Sequence, residues 1–205
     1  MNYNTVASNN IINEVLKNLS NNNIEGIFVQ NKQEALDKIK ELIPARASIM
    51  NGSSKTLEQI GFIDYLKTDN HSWNNLHKNI LEEKNPEKQA LLRKQAVLSD
   101  YYLGSVHALS KTGEFIIASN SGSQLPHIAY TSTNLIFVVG AQKIVATINE
   151  GLKRLDEYVI PLEDKNLMEK FNAHTYPSKI LIFKKEPSFM QRKVRIIIVN
   201  EVLGF

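Results

Sequence analysis

The hydrophobic positions of this chain change period repeatedly, and the changes predict helices alternating with strands. Ile11, Ile12, Val15, Leu16 and Leu19 recur at three- and four-residue steps, an amphipathic helix over 8–19 that ends where Asn21, Asn22 and Asn23 break the pattern. A short apolar strand at 26–30 follows, then a helix over 32–42 with Ala35, Leu36 and Ile39 inward, then a second strand at 47–50. Strand, helix and strand in that order read as a βαβ unit, which favours a parallel sheet covered by helices.

From about 62 to 98 the chain is polar and helical in character. Trp73, Leu76 and Ile80 fall on one face, where Trp73 reads as a packing residue, and Asn85-Pro86 offers an N-cap followed by a first-turn proline. Residues 103–118 read as two extended segments around a Lys111-Thr112-Gly113 turn, a hairpin. Further strands are predicted at 135–139, 180–183 and 194–199, and Ile144, Ile148, Leu152 and Leu155 mark an amphipathic helix. The expected fold is therefore α/β, a largely parallel sheet flanked by helices. An N-terminal helix and the first strand-helix elements (1–45) join the same domain as 46–205, with a helical insertion at about 62–98.

The 205 residues, 42% of them hydrophobic, suffice for one substantial core and do not demand two. The 24 basic and 21 acidic residues are mixed along the chain, so no basic block points to nucleic acid. Cysteine is absent, which removes disulfides, thiolate zinc sites and cysteine-held iron–sulfur clusters, and no intrinsic cofactor is expected. Nor do the five histidines, His71, His77, His107, His127 and His174, fall at helical metal-ligand spacing, so no metal site is expected. The first residues lack the features of a secretory signal, and no apolar run approaches the roughly 18 residues of a membrane span. The expectation is a cytoplasmic protein without membrane insertion.

Two stretches could carry chemistry. The first is Gly52, Ser53, Ser54, Lys55 and Thr56, where an apolar strand turns into a helix. The opening amides of such a helix have no partner inside it and attract anions, and Gly52 would let a ligand approach the backbone. The same residues also read as helix capping, with Thr56 and Gln59 as a capping box. The pattern argues against a Walker-type loop, because Ser54 stands where that motif needs glycine.

The second stretch holds Asp100, Gly104, Ser105, His107, Thr112, Gly113 and Glu114, followed by Asn120 and Gln124 within Ser-Asn-Ser-Gly-Ser-Gln. Small hydroxylated, amide and glycine positions suit a pocket for an anionic or polyol ligand, and equally suit plain turns. Glu114 at the start of an apolar strand could act as base or nucleophile, or stand solvated. His107 reads as a hydrogen-bonded structural histidine or a proton shuttle, and Asp100 as an acid or a simple turn residue. No nucleophile elbow accompanies Ser105.

Taken in order, Asn51-Gly-Ser-Ser-Lys-Thr-Leu57, Gly104-Ser-Val-His-Ala-Leu-Ser-Lys-Thr-Gly113, Ile136-Phe-Val-Val-Gly-Ala-Gln-Lys-Ile144 and Ile198-Val-Asn-Glu-Val-Leu-Gly-Phe205 resemble the lactate-utilization (LUD) domain family, in its cluster-free C-type members. The resemblance spans 46–205. It implies a fold like the CoA-transferase and ribose-phosphate-isomerase group, with a glycine- and serine-containing loop over the ligand. It also implies a non-redox part in oxidation of L-lactate to pyruvate, beside iron–sulfur partner proteins that would carry the electrons. Glu114 departs from the small or hydroxylated residue expected after the Thr112-Gly113 turn. Three functions follow as expectations: a lactate-utilization component binding a small anionic metabolite or nucleotide, a stand-alone isomerase or acyl-transfer enzyme using Glu114, or a non-catalytic assembly or regulatory protein.

Overall fold

A computed structural model describes residues 2–68 and 70–205. Six strands form one sheet: β1 (Glu25–Val29), β2 (Ser48–Asn51), β3 (Asn74–Asn75), β4 (Tyr101–Gly104), β7 (Asn134–Gly140) and β10 (Lys193–Val199). Their spatial order is β1-β10-β7-β4-β2-β3, and every pairing is parallel. Four others, β5 (Ala108–Ser110), β6 (Phe115–Ser119), β8 (Ile144–Val145) and β9 (Lys179–Phe183), form a second, mixed sheet ordered β8-β5-β6-β9.

The near-continuous apolar runs of β7 and β10 are explained by burial of both faces of the parallel sheet. On one face Leu135, Phe137, Val139, Ile196 and Ile198 pack with Phe115 and Phe183 of the second sheet and with Ile12, Val15 and Leu19 of α1 (Asn9–Asn21). On the other, Ile136, Val138, Ile197 and Val199 meet Ala35, Leu36 and Ile39 of α2 (Lys32–Leu42), Leu57 of α3 (Lys55–Gln59) and Phe62 of α4 (Phe62–Lys67). Each such aliphatic side chain contributes about 1.5–3 kcal/mol by leaving water.

The predicted α/β fold, with its largely parallel sheet, is the observed one, and three local expectations change. The hairpin is shorter: residues 103–104 end β4 in the main sheet, and only β5 and β6 pair antiparallel around the 111–114 turn. Ile144 lies in β8, and α7 (Ile148–Arg154) starts later because Thr147 caps it, its Oγ1 accepting from Glu150 N at 3.2 Å. That helix runs on through a wide turn, Leu155–Val159, into α8 (Ile160–Phe171).

Within 62–98 come α4, α5 (Leu76–Glu82) and α6 (Pro86–Gln95), the last capped by Asn85 Oδ1, which accepts from Glu87 N and Lys88 N at 3.0 Å. Trp73 is buried as expected but not on a helix face. It precedes β3, packs beside Phe62 and Tyr65, and its Nε1 donates to Ile43 O at 3.2 Å. Among the described residues no helix is long and apolar enough to cross a membrane.

Candidate functional site

Three neighbouring strands of the parallel sheet end at one corner. β2 runs into Gly52, β4 into Ser105 and β7 into the turn Ala141–Lys143, and together they open on a cavity of about 340 Å³. Its far wall is α8, with Ile160, Glu163 and Asn166, and segments 118–124 and 175–177 with Phe205 close its sides. Ligands of open α/β sheets sit at such carboxyl ends of strands.

On the floor, where these strand ends meet, lies Lys143. It is 3% exposed, and its Nζ donates to Thr56 Oγ1 at 3.0 Å, Ser105 Oγ at 3.1 Å and Val106 O at 3.3 Å. All three acceptors are neutral, and among the described residues no carboxylate lies at ion-pair distance from it. Burial first, and the Arg154 charge second, lower its pKa to about 7. The two side-chain carboxylates lining the cavity are engaged elsewhere: Glu58 faces Lys55 at 3.1 Å, and Glu163 accepts from Asn166 Nδ2 at 3.1 Å.

The 52–56 turn is built differently from its capping-box expectation. Ser54, not Thr56, caps α3, its Oγ accepting from Leu57 N at 3.3 Å. Thr56 thereby lies inside the helix, 1% exposed, with its hydroxyl free to accept from Lys143, while Gln59 Oε1 accepts from Gly204 N at 2.6 Å. Glycine at 52 has a packing reason. A Cβ there would run into the Tyr102 hydroxyl and come within 3.0 Å of Gln124 Oε1, to which that hydroxyl donates at 3.1 Å.

Gly52, Ser53, Ser54, Lys55, Thr56, Gly104, Ser105, His107, Asn120 and Gln124 all line the cavity. Thr112, Gly113, Glu114 and Asp100 do not. A hairpin places its turn opposite its open end, and here the open end, His107 and Ala118, faces the cavity. The turn instead packs on α1, where Asn18 Nδ2 donates to Lys111 O at 2.8 Å and Asn22 Nδ2 to Thr112 O at 2.9 Å. Glu114 there accepts from Thr112 Oγ1 at 3.0 Å. Asp100 stands at the amino end of β4, away from the carboxyl ends, accepting from Ser48 N at 2.9 Å and Ser48 Oγ at 2.7 Å.

His107 touches the cavity as a neutral ring. Its Nδ1 accepts from Ala118 N at 3.1 Å, so the proton sits on Nε2, and burial, Lys143 and Arg154 together push its pKa down to about 3. It is held by the hairpin, in surroundings that favour the uncharged ring. Among the described residues no group of three or more histidine, aspartate and glutamate side chains could hold a metal ion.

Lys143 itself was visible in the sequence only as a lone cation after an apolar strand, in Gly140-Ala-Gln-Lys143. Ser119, Ser121 and Ser123, of the Ser-Asn-Ser-Gly-Ser-Gln stretch that suits a pocket or a plain turn, also line the cavity, as do Glu163 and Asn166, which carried no distinct signal.

Fold and site together define an α/β protein with a small cavity of mixed polar and apolar lining, a buried lysine among its residues, at the carboxyl end of a parallel sheet. The family model for the LUD domain matches residues 12–199, and the chain belongs to that family, which is associated in general with lactate utilization. The crystal structure of a DUF162 family protein from Deinococcus radiodurans is similar, with a TM-score of 0.55 and 13% identity over 95% of this chain and 98% of that one. At that identity the likeness concerns the fold. No curated protein matches the sequence.

Proposed function

We propose that the protein is a non-redox component of a lactate-utilization system whose cavity binds a small anionic metabolite. The observation that carries this reading is Lys143, a buried amine held only by neutral oxygens and lining an open cavity that also presents Ser53, Ser54, Ser105, Asn120 and Gln124. A buried charge without a partner is costly, and an anionic ligand supplies the missing charge. At about 340 Å³ the cavity is at the lower end for ligand sites, which favours a metabolite over a nucleotide. A chain without cysteine leaves any cluster-borne electrons to iron–sulfur partner proteins, and the family's association supports lactate or pyruvate as first candidates.

Thermal shift with L-lactate, pyruvate, inorganic phosphate and a nucleoside monophosphate tests the reading on wild type and Lys143→Met. A bound anion at a hundred times its Kd stabilises by about 2.7 kcal/mol, so the melting temperature of the wild type rises and that of the variant does not. No shift with any anion, or equal shifts in both proteins, refutes the site. Normal growth on lactate of a strain lacking the gene refutes the assignment to the system.

A further inference from the structure

A lysine that is buried, unpaired and open to a cavity can do more than attract an anion. Its nitrogen is a nucleophile whenever it loses its proton, and Lys143 has hydroxyls on two sides, Thr56 Oγ1 at 3.0 Å and Ser105 Oγ at 3.1 Å. We propose that Lys143 Nζ forms an imine with the carbonyl carbon of a small 2-oxo carboxylate held in the cavity. This rests on the reading of the cavity as an anion site.

The step balances without any oxidant or reductant. The Nζ lone pair adds to the carbonyl carbon, and the carbonyl π electrons move to oxygen, which takes up a proton as nitrogen gives one up. The resulting carbinolamine expels its hydroxyl, with a further proton, as water into the open side of the cavity. The C=N bond forms as that C–O bond breaks, so amine, ketone and one proton become iminium and water. Ser105 and Thr56 stand where these protons are exchanged.

The choice of a 2-oxo carboxylate over a neutral aldehyde comes from charge. The iminium, like the ammonium, is a cation in a place where the nearby protein oxygens are neutral, and Glu58 and Glu163 are held by Lys55 and Asn166. A carboxylate on the adjacent carbon of the ligand brings its own counter-charge. Supply of the free amine agrees with this. Burial and Arg154 bring Lys143 to a pKa of about 7, whereas an ordinary lysine near 10.4 is almost wholly protonated at neutral pH. The neighbouring titratable groups are His107, neutral there, the Lys55–Glu58 pair of α3, Glu163 of α8 and Tyr176.

The full chain incubated with pyruvate and sodium cyanoborohydride at pH 7, followed by peptide mapping, reads the adduct directly. Trapping is expected at Lys143 at least tenfold above any other lysine, increasing from pH 6 to pH 8 and suppressed by excess L-lactate, which has the carboxylate but no carbonyl. Lys143→Arg should lose the adduct and keep its thermal shift with lactate, since the charge is retained. If that variant does not fold, the map on the wild type decides. A thermal shift with pyruvate but no adduct at Lys143 overturns the imine and leaves the anion site standing. Adducts spread evenly over surface lysines overturn it too. Absence of a shift with both lactate and pyruvate removes the site and the imine together.

Discussion

Lys143 and the histidines show how position rewrites the properties of a side chain. His107 is pushed to about 3 by burial, Lys143 and Arg154, and His127, 2% exposed beside Ser99 and Ser132, to about 4 by burial. The unfolded chain takes up these protons near pH 6.5, so between about 6.5 and 3 it binds more protons than the native state. Stability present above pH 6.5 should therefore be lost as pH falls through 4 and then 3. Each factor of ten in proton affinity is worth about 1.4 kcal/mol, so urea midpoints measured from pH 7 to 3.5 should drop by several kcal/mol in stability. Lys143 acts at the other end. Its native pKa of about 7 lies below the unfolded value near 10.4, so the unfolded state again binds more protons and stability should rise from pH 7 towards 10. Lys143→Met should flatten that rise. Thr56→Val keeps the shape but leaves the Lys143 amine short of an acceptor, while Leu203 O keeps Gln142 Nε2 as donor at 2.8 Å, and should cost about 1–3 kcal/mol in urea unfolding at pH 7.

At the scale of elements, patterns that depend on local periodicity were legible, and those that depend on a partner were not. The helix over 32–42 and the strands β7 and β10 follow from apolar spacing and length, because burial imposes the same periods wherever the element packs. The 103–118 stretch was divided wrongly, since nothing local says that Leu103–Gly104 pairs with Ile136–Phe137 of one sheet while Ala108 pairs with Ile116 of another. The cap of α3 was misplaced by two residues for a similar reason. Ser54 and Thr56 are both able caps; Ser54 takes the role, and the Thr56 hydroxyl meets Lys143, 87 residues away. The terminal segment adds a test of how tightly this corner is built. Gly204 has φ +65°, and a Cβ on it would overlap Thr56 Oγ1 and reach within 2.9 Å of Lys143 Nζ. Gly204→Ala should cost about 1–3 kcal/mol from backbone conformation alone and lower the melting temperature further as the floor shifts, with a weaker ligand-induced shift.

Over the whole molecule, the cavity exists because two sheets meet. The chain leaves the parallel sheet at Gly104, crosses at 105–107 and enters the second sheet at Ala108, while β7 delivers Lys143 just before β8. Glu114, at the far turn of the hairpin, accepts from Thr112 Oγ1 there and does not line the cavity. Glu114→Gln should therefore leave the ligand-induced rise in melting temperature unchanged, and loss of that rise would return Glu114 to the site. The amino-acid sequence by itself determined the α/β class, the order of the main elements, the absence of thiolate chemistry and the strand-to-helix turn at 52–56, since each depends on residue type or on spacing within one element. The tertiary structure decided which polar residues share a space. It joined 52–56 to 104–107 and 119–124, sent 112–114 and Asp100 elsewhere, and made Lys143 central, because solvent exclusion and hydrogen-bond partners are set by contacts between residues far apart in the chain.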